Sequence, residues 1–302
     1  MAKTLAPSIT TRDPKGLKFV SIIEAAYNKA GLSEEEAQRV NDTPGLSELV
    51  GGFITENRRA NRYASEELKS NYAYPKGYAG PKPLSTQIDV LAKIFNLSLG
   101  YTIEFVEKVL PTLTLPEGAE GWFAIPSIDA LAARFFPEIK DPAERYCRAT
   151  NLILEKIGAS RKFYNYREGQ LTTDRFRLSA RTAHALNLLA EQQKGDIWIV
   201  GGQFGKRHAG RSVRRAREVM SGPEFGGYTL AAGSMLLTHP ERLVSYNDLW
   251  MDVPDDEFDP GSDGSFDVAP DFRFGDGRVR FAACWVGLAF EFCGSVSLFL
   301  PQ

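Results

Sequence analysis

Cysteine is scarce in this chain. Cys147, Cys284 and Cys293 are the only three, and none sits in a CxxC pair. The three histidines, His184, His208 and His239, are equally scattered. Together these absences exclude a zinc site of the usual ligand spacing. An odd cysteine count argues for reduced, buried thiols, although Cys284 and Cys293 are placed to face each other across a hairpin. No apolar run approaches the ~18 residues that a membrane span needs. The opening MAKTLAPSITTRDPKG holds no apolar core of a secretory signal. The expectation is a cytoplasmic protein with no membrane partner.

Standard nucleotide loops are missing too. A Walker A loop ending at Gly205-Lys206 would need glycine where Val200 stands, and Ser or Thr where Arg207 stands. The dinucleotide pattern GxGxxG is absent. Asp259, Asp263, Gly264 and Asp267 fit positions one, five, six and nine of a calcium hand, but Gly261 and Pro270 occupy positions three and twelve. Without the bidentate acid at twelve, this is not an EF-hand.

What the chain does have is arginine, unevenly spread. Its 302 residues are 43% hydrophobic and 25% charged, with a formal net charge of −2, ordinary values for a globular protein. Residues 161–217 nevertheless hold 13 basic and 4 acidic side chains, and residues 218–302 hold 4 basic and 14 acidic. Such asymmetry bears on partners rather than on fold.

The patterning predicts an α+β protein. A flexible arm at 1–16 precedes an α-helical region at 17–157, and a mixed region with an antiparallel β-sheet follows at 158–302. Phe19, Ile22, Ile23 and Ala26 form a helical stripe that Gly31 closes. Ser33 and Glu36 make a capping-box pattern, Ser127 caps a later helix, and Asp141-Pro142 opens another. Gly118–Pro126 reads as a turn holding Trp122. The loop at 71–85, with three tyrosines and three prolines, reads as a connector whose rings pack on neighbouring helices. Asp271–Phe281 alternates Phe272, Phe274, Val279 and Phe281 with Arg273, Arg278 and Arg280 around Gly275-Asp276-Gly277, which predicts a hairpin with a basic outer face.

Two stretches carry candidate chemistry. In DIWIVGGQFGKRHAGRSVRRAR (196–217), a strand at Ile197–Val200 runs into Gly201, Gly202 and Gly205 and then into cations. Glycines let backbone N–H groups approach an anion, and arginine forks match phosphate, but they match carboxylate equally well. Lys206, Arg207, Arg211, Arg214 and Arg215 with Gly202 and Gly205 are therefore candidates for phosphate or nucleic acid. Tyr164 and Tyr166 join them, because aromatics among cations suit single strands. The plain alternative is a tight strand-to-helix connection beside a basic face neutralised from within the protein. The second stretch, 252–276, holds nine acids and one base. Asp252, Asp255, Asp256 and Glu257 are candidates for Mg²⁺ or Ca²⁺, against the alternative of a solvated or arginine-docked loop.

GKRHAGRSVRRAR, MLLTHPERL, DEF, PDFRFGDGRVRF and the closing GSVSLFLPQ together resemble an uncharacterised group of bacterial proteins of unknown function. That resemblance implies no activity, fold or ligand. Three function classes follow from the residues: binding of nucleic acid or another phosphate-bearing ligand, a metal-dependent enzyme on a phosphate-bearing substrate, and an assembly protein or homo-oligomer whose oppositely charged segments pair.

Overall fold

The computed structural model describes residues 14–47, 49–51 and 62–302, and the chain divides into two compact units at Arg62/Tyr63. In the first unit lie α1 (Pro14–Lys29) and α2 (Glu34–Asn41). The capping box at α2 is formed in both directions: Ser33 Oγ accepts from the Glu36 N–H, and the Glu36 carboxylate accepts from the Ser33 N–H at 2.9 Å. The expected arm lies outside the described residues as far as residue 13, and Pro14–Gly16 already belong to α1.

The second unit is α+β, with its helices mostly early and its strands mostly late. It runs through α3 (Leu84–Phe95), α4 (Gly100–Glu104), β1 (Gly121–Pro126), α5 (Ile128–Phe135) and α6 (Pro142–Ser160). Ser127 and Asp141 cap α5 and α6 as their spacing predicts, each accepting a backbone N–H three residues on. Then come β2 (Phe163–Asn165), β3 (Phe176–Leu178), α7 (Ala180–Gln192), β4 (Ile197–Gln203), α8 (Val213–Val219), β5 (Glu224–Gly226) and α9 (Thr229–Thr238). The remainder is β6 (Trp250–Asp252), β7 (Asp256–Phe258), β8 (Val268–Gly275), β9 (Arg278–Trp285), β10 (Cys293–Ser295) and β11 (Ser297–Phe299).

Gly118–Pro126 is not simply a turn. Phe123, Ala124 and Ile125 are fully buried, and β1 pairs antiparallel with β4, Phe123 against Val200 and Ile125 against Trp198. Burial of that apolar run outweighs the flanking Gly118 and Gly121. The pairing also joins residues on both sides of the boundary expected at 157/158, so the compact unit spans it.

One antiparallel sheet has the order β1-β4-β11-β5. Gly201 and Gly202 lie within β4, where a Cβ at Gly202 would sit 2.9 Å from the Phe123 ring and one at Gly201 3.2 Å from Phe299 Cβ. They are glycine for packing inside the sheet. The second sheet is mixed: β8 is central, with β9 and then β2 on one side and β6 and β7 on the other, β10 adding parallel to β6. Helix α9 is buried along its whole length and packs on α6, α3 and β1. Gly233 permits this, since a Cβ there would meet Ile153 at 2.4 Å.

The inner face of the second sheet follows the period-two pattern. Phe272, Val279 and Phe281 are fully buried in the core. The alternate residues, Ala269, Asp271 and Arg273 on β8 and Arg280, Ala282 and Cys284 on β9, share the opposite face. Trp250 and Asp252 extend that face on β6, and Tyr164, paired with Arg280, extends it on β2.

Candidate functional site

The arginines of 207–217 lie beside the protein's own carboxylates. Arg214 forks onto Glu66 at 2.8 and 2.9 Å, and Ser212 Oγ donates to the same carboxylate at 2.6 Å. Arg211 and Arg215 both reach Glu67, at 2.9 and 2.7 Å, and Arg215 also reaches Glu218 at 2.9 Å. Arg207 lies 3.2 Å from buried Glu224. Lys206 Nζ donates to the Tyr72 carbonyl at 2.9 Å. Arg217 lies 3.7 Å from Asp255.

Glu224 is the centre of this group. It accepts from His208 Nε2 at 2.8 Å and from Ser297 Oγ at 2.6 Å. Burial raises its pKa, but these hydrogen bonds and the charge of Arg207 outweigh burial and hold it low. Burial also keeps His208 below its ordinary value despite that carboxylate. A neutral His208 donates through Nε2 and accepts at Nδ1 from Arg211, 3.0 Å away.

The glycine turn is also closed to an anion. The Gly205 N–H donates to Gln203 Oε1, the Lys206 N–H to the Tyr74 hydroxyl at 2.9 Å, and the Arg207 N–H to Gln203 Oε1 at 3.3 Å. Gly205 has φ 115°, and a Cβ there would lie 2.5 Å from the Gly294 carbonyl oxygen. Thus Gly202, Gly205 and Lys206–Arg215 form a structural junction. A glycine-rich strand end presents free amides only if the fold leaves them unbonded, and here these three amides are bonded within the fold.

The four acids taken as metal candidates diverge. Asp256 accepts from Tyr146 and Thr229, Asp255 from Thr182 at 2.7 Å and the Gly226 N–H at 2.9 Å, and Glu257 pairs with Arg177 at 2.7 Å. Asp252 faces Asp271 across β6 and β8. Among the described residues, no group of three or more His, Cys, Asp and Glu side chains converges as a metal site. The residues present therefore do not fit Mg²⁺ or Ca²⁺ as a bound cofactor at Asp252–Glu257.

A second arginine group lies on the outer face of the second sheet. Tyr166, Arg167, Arg273, Arg280 and Ala282 line a pocket of about 240 Å³. Arg273 and Arg280 are cross-strand partners, and like charges directly opposite destabilise a sheet. Arg278 lies over the Tyr164 ring at 5.1 Å and Arg280 over the Tyr166 ring at 5.9 Å. The two rings meet edge to face at 4.7 Å and remain 45% and 47% exposed. In each of Arg167, Arg273, Arg278 and Arg280 the Nε is buried with no hydrogen-bond partner.

The counter-charge on this face is thin. Arg280 pairs with Asp276, whose side chain is 74% exposed. Arg273 Nε lies 2.9 Å from Asp271 Oδ1, an ionic contact not aligned as a hydrogen bond. Among the described residues, neither Arg167 nor Arg278 is ion-paired; Arg167 donates to Gln170 at 3.4 Å and lies over Phe258. Of the expected site residues, only Tyr164 and Tyr166 belong to this face. Arg167, Arg273, Arg278 and Arg280 were visible as cations, and the alternation of 271–281 had marked three of them as one outer face. Nothing in the sequence showed that β2 would bring Tyr164 and Tyr166 beside them.

No protein-family model, no curated protein and no solved structure matches this chain. Among the described residues, no helix is long and apolar enough to cross a membrane.

Proposed function

We propose that the protein binds single-stranded nucleic acid on the outer face of its second sheet. A backbone phosphate enters the pocket of Arg167, Arg273 and Arg280, and bases lie against Tyr164 and Tyr166. The observation that carries this reading is the pocket lined by three arginines, Arg167, Arg273 and Arg280, beside two exposed tyrosines. Arginine forks recognise phosphate oxygens, aromatic faces stack bases without regard to sequence, and an anion between Arg273 and Arg280 relieves their like-charge opposition. In this reading the setting is cytoplasmic and the thiols are reduced.

Fluorescence anisotropy with a short single-stranded oligonucleotide, measured across salt concentrations, tests the reading. Affinity should fall linearly on a log–log plot with a slope of about −0.7 per phosphate contacted. It should also drop at least about tenfold in an Arg167→Ala, Arg280→Ala double variant. Salt-insensitive binding, or full affinity in that variant, would sink the proposal. Equal affinity for inorganic phosphate would reduce the site to a small-anion pocket.

A further inference from the structure

Beside the arginine pocket the same sheet face carries the opposite arrangement. Asp252 on β6 stands directly across from Asp271 on β8. Both are almost fully buried, 8% and 3% exposed, and both line a separate pocket of about 100 Å³. The walls of this pocket are aromatic: Trp250, Phe290 and Phe292 pack on one another, with Trp250 and Phe292 centred 4.6 Å apart and Phe290 and Phe292 5.1 Å apart. Its rim is apolar and open, with Trp285 58% exposed and Leu288 48% exposed.

The charges in this pocket do not balance. Among the described residues Arg273 is the one cation lining it; its guanidinium lies over the Trp250 ring at 5.3 Å and is ion-paired with Asp271. Asp271 is paired with that arginine, Oδ2 accepting from Nη2 at 3.3 Å and Oδ1 lying 2.9 Å from Nε, while among the described residues Trp250 Nε1 makes no hydrogen bond. Two buried carboxyls against one arginine leave one negative charge for a proton or a bound cation to neutralise. Aromatic walls suit an organic cation, whose charge the ring faces attract. They do not suit a hard metal ion, which demands a shell of oxygens.

We infer that this pocket is a second binding site, for an organic ammonium whose cationic head sits between Asp252 and Asp271 and whose apolar body lies on Trp285 and Leu288. The inference uses neither tyrosine, nor Arg167, nor Arg280; Arg273 alone lines both pockets. The groups facing Asp252 are Asp271 and Arg273 from β8, Cys284 from β9 and Cys293 from β10. Burial, and next the charge of Asp271, pushes the Asp252 carboxyl up to about 8. Burial pushes Asp271 up to about 6 against the pull of Arg273. Burial likewise raises both thiols, so they stay protonated. At neutral pH the empty pocket therefore holds a proton on Asp252, and an incoming ammonium displaces it.

Calorimetry on the full chain with benzylamine, and with benzyl alcohol as its neutral counterpart, tests the inference. Benzylamine should bind at least about tenfold tighter than benzyl alcohol, and Asp252→Asn should abolish that preference. The heat at pH 7 should vary with the ionisation enthalpy of the buffer, reporting the released proton. Wild-type affinity should rise with pH from about 6 to about 8, the range set by the two carboxyls. Equal binding of amine and alcohol would show an apolar groove only and overturn the inference. So would an absence of binding heat, or a flat pH profile. If Asp252→Asn does not fold, the wild-type pH profile decides alone. Trp285→Ala, at an exposed rim position, should weaken both ligands alike if the body lies where the rim is apolar.

Discussion

The two arginine groups contain the same side chain doing different work. Around 207–217, every arginine lies within 4 Å of a carboxylate, Glu66, Glu67, Glu218, Glu224 or Asp255, although the Arg217 hydrogen bonds end on the Pro254 and Asp256 carbonyls. On the sheet face, Arg273 and Arg280 stand opposite each other, paired with Asp271 and with exposed Asp276, and Arg167 and Arg278 hold only to rings and an amide. The first group outnumbers the second and dominates the charge profile of the sequence. Yet its charge is consumed within the fold. What distinguishes a binding surface from a structural one is thus the balance of charge left over after folding, and the smaller group keeps the larger share.

The comparison breaks first at Glu224. Removing it leaves the Arg207 and His208 donors and Ser297 without their shared acceptor. Glu224→Ala should cost about 1–3 kcal/mol, as expected when buried donors lose their acceptor, read from chemical denaturation. Oligonucleotide affinity under folding conditions should not change. If it falls while stability holds, the 206–217 group belongs to the binding surface and the assignment reverses. The opposite experiment is Arg167→Ala with Arg280→Ala. Stability should fall less than for Glu224→Ala, because no buried carboxylate loses a hydrogen-bond donor. Binding should lose at least about tenfold.

Proton linkage separates the two regions further. Burial pushes Asp252, Asp256 and Asp271 up to about 8, about 7 and about 6, from an ordinary value of 3.8. Their folded pKa values lie above the unfolded ones, so between those limits the folded state binds more protons. Stability should then fall as pH rises from about 4 to about 8. Asp252→Asn should flatten the upper part of that decline, seen as a smaller loss of melting temperature between pH 6 and pH 8. The carboxylates of the 206–217 group act in the other direction. The Arg214 hydrogen bond holds Glu66 low, and donors hold Glu224 low against burial. Their contribution is present above about 4.5 and lost as pH falls through their depressed values. A stability profile that rises steadily to pH 8 would contradict the buried aspartates.

Much of the local structure was legible. The Ser33, Ser127 and Asp141 caps and the 271–281 hairpin follow from spacing alone, because caps and alternation are short-range rules. The counter-ions of the basic segment were not legible. Glu66 and Glu67 lie in a polar stretch about 150 residues upstream that reads as solvated, and only the tertiary fold brings it to Arg211–Arg215. The strand at Gly121–Pro126 was hidden by its flanking glycines. The acidic run read as one cluster, but β6, β7 and the turns between them send Asp252, Asp255, Asp256 and Glu257 to different partners. Sequence proximity of like charges says little about convergence when the chain alternates faces.

The tyrosines give the finest test of the contrast. Tyr164 on β2 and Tyr166 just after it lie against Arg278 and Arg280 of the sheet face. Base stacking on such rings contributes about 1–3 kcal/mol per base, so Tyr166→Ala should weaken oligonucleotide binding by about that amount. Inorganic phosphate binding should be unaffected, since the ring supplies no charge. Tyr164→Ala should have the smaller effect, because Tyr164 does not line the arginine pocket and Tyr166 does. Equal losses for oligonucleotide and phosphate would mean that the rings only hold the arginines in place. The salt slope distinguishes these outcomes: loss of stacking lowers affinity at every salt concentration and leaves the slope unchanged, whereas displaced arginines make it shallower.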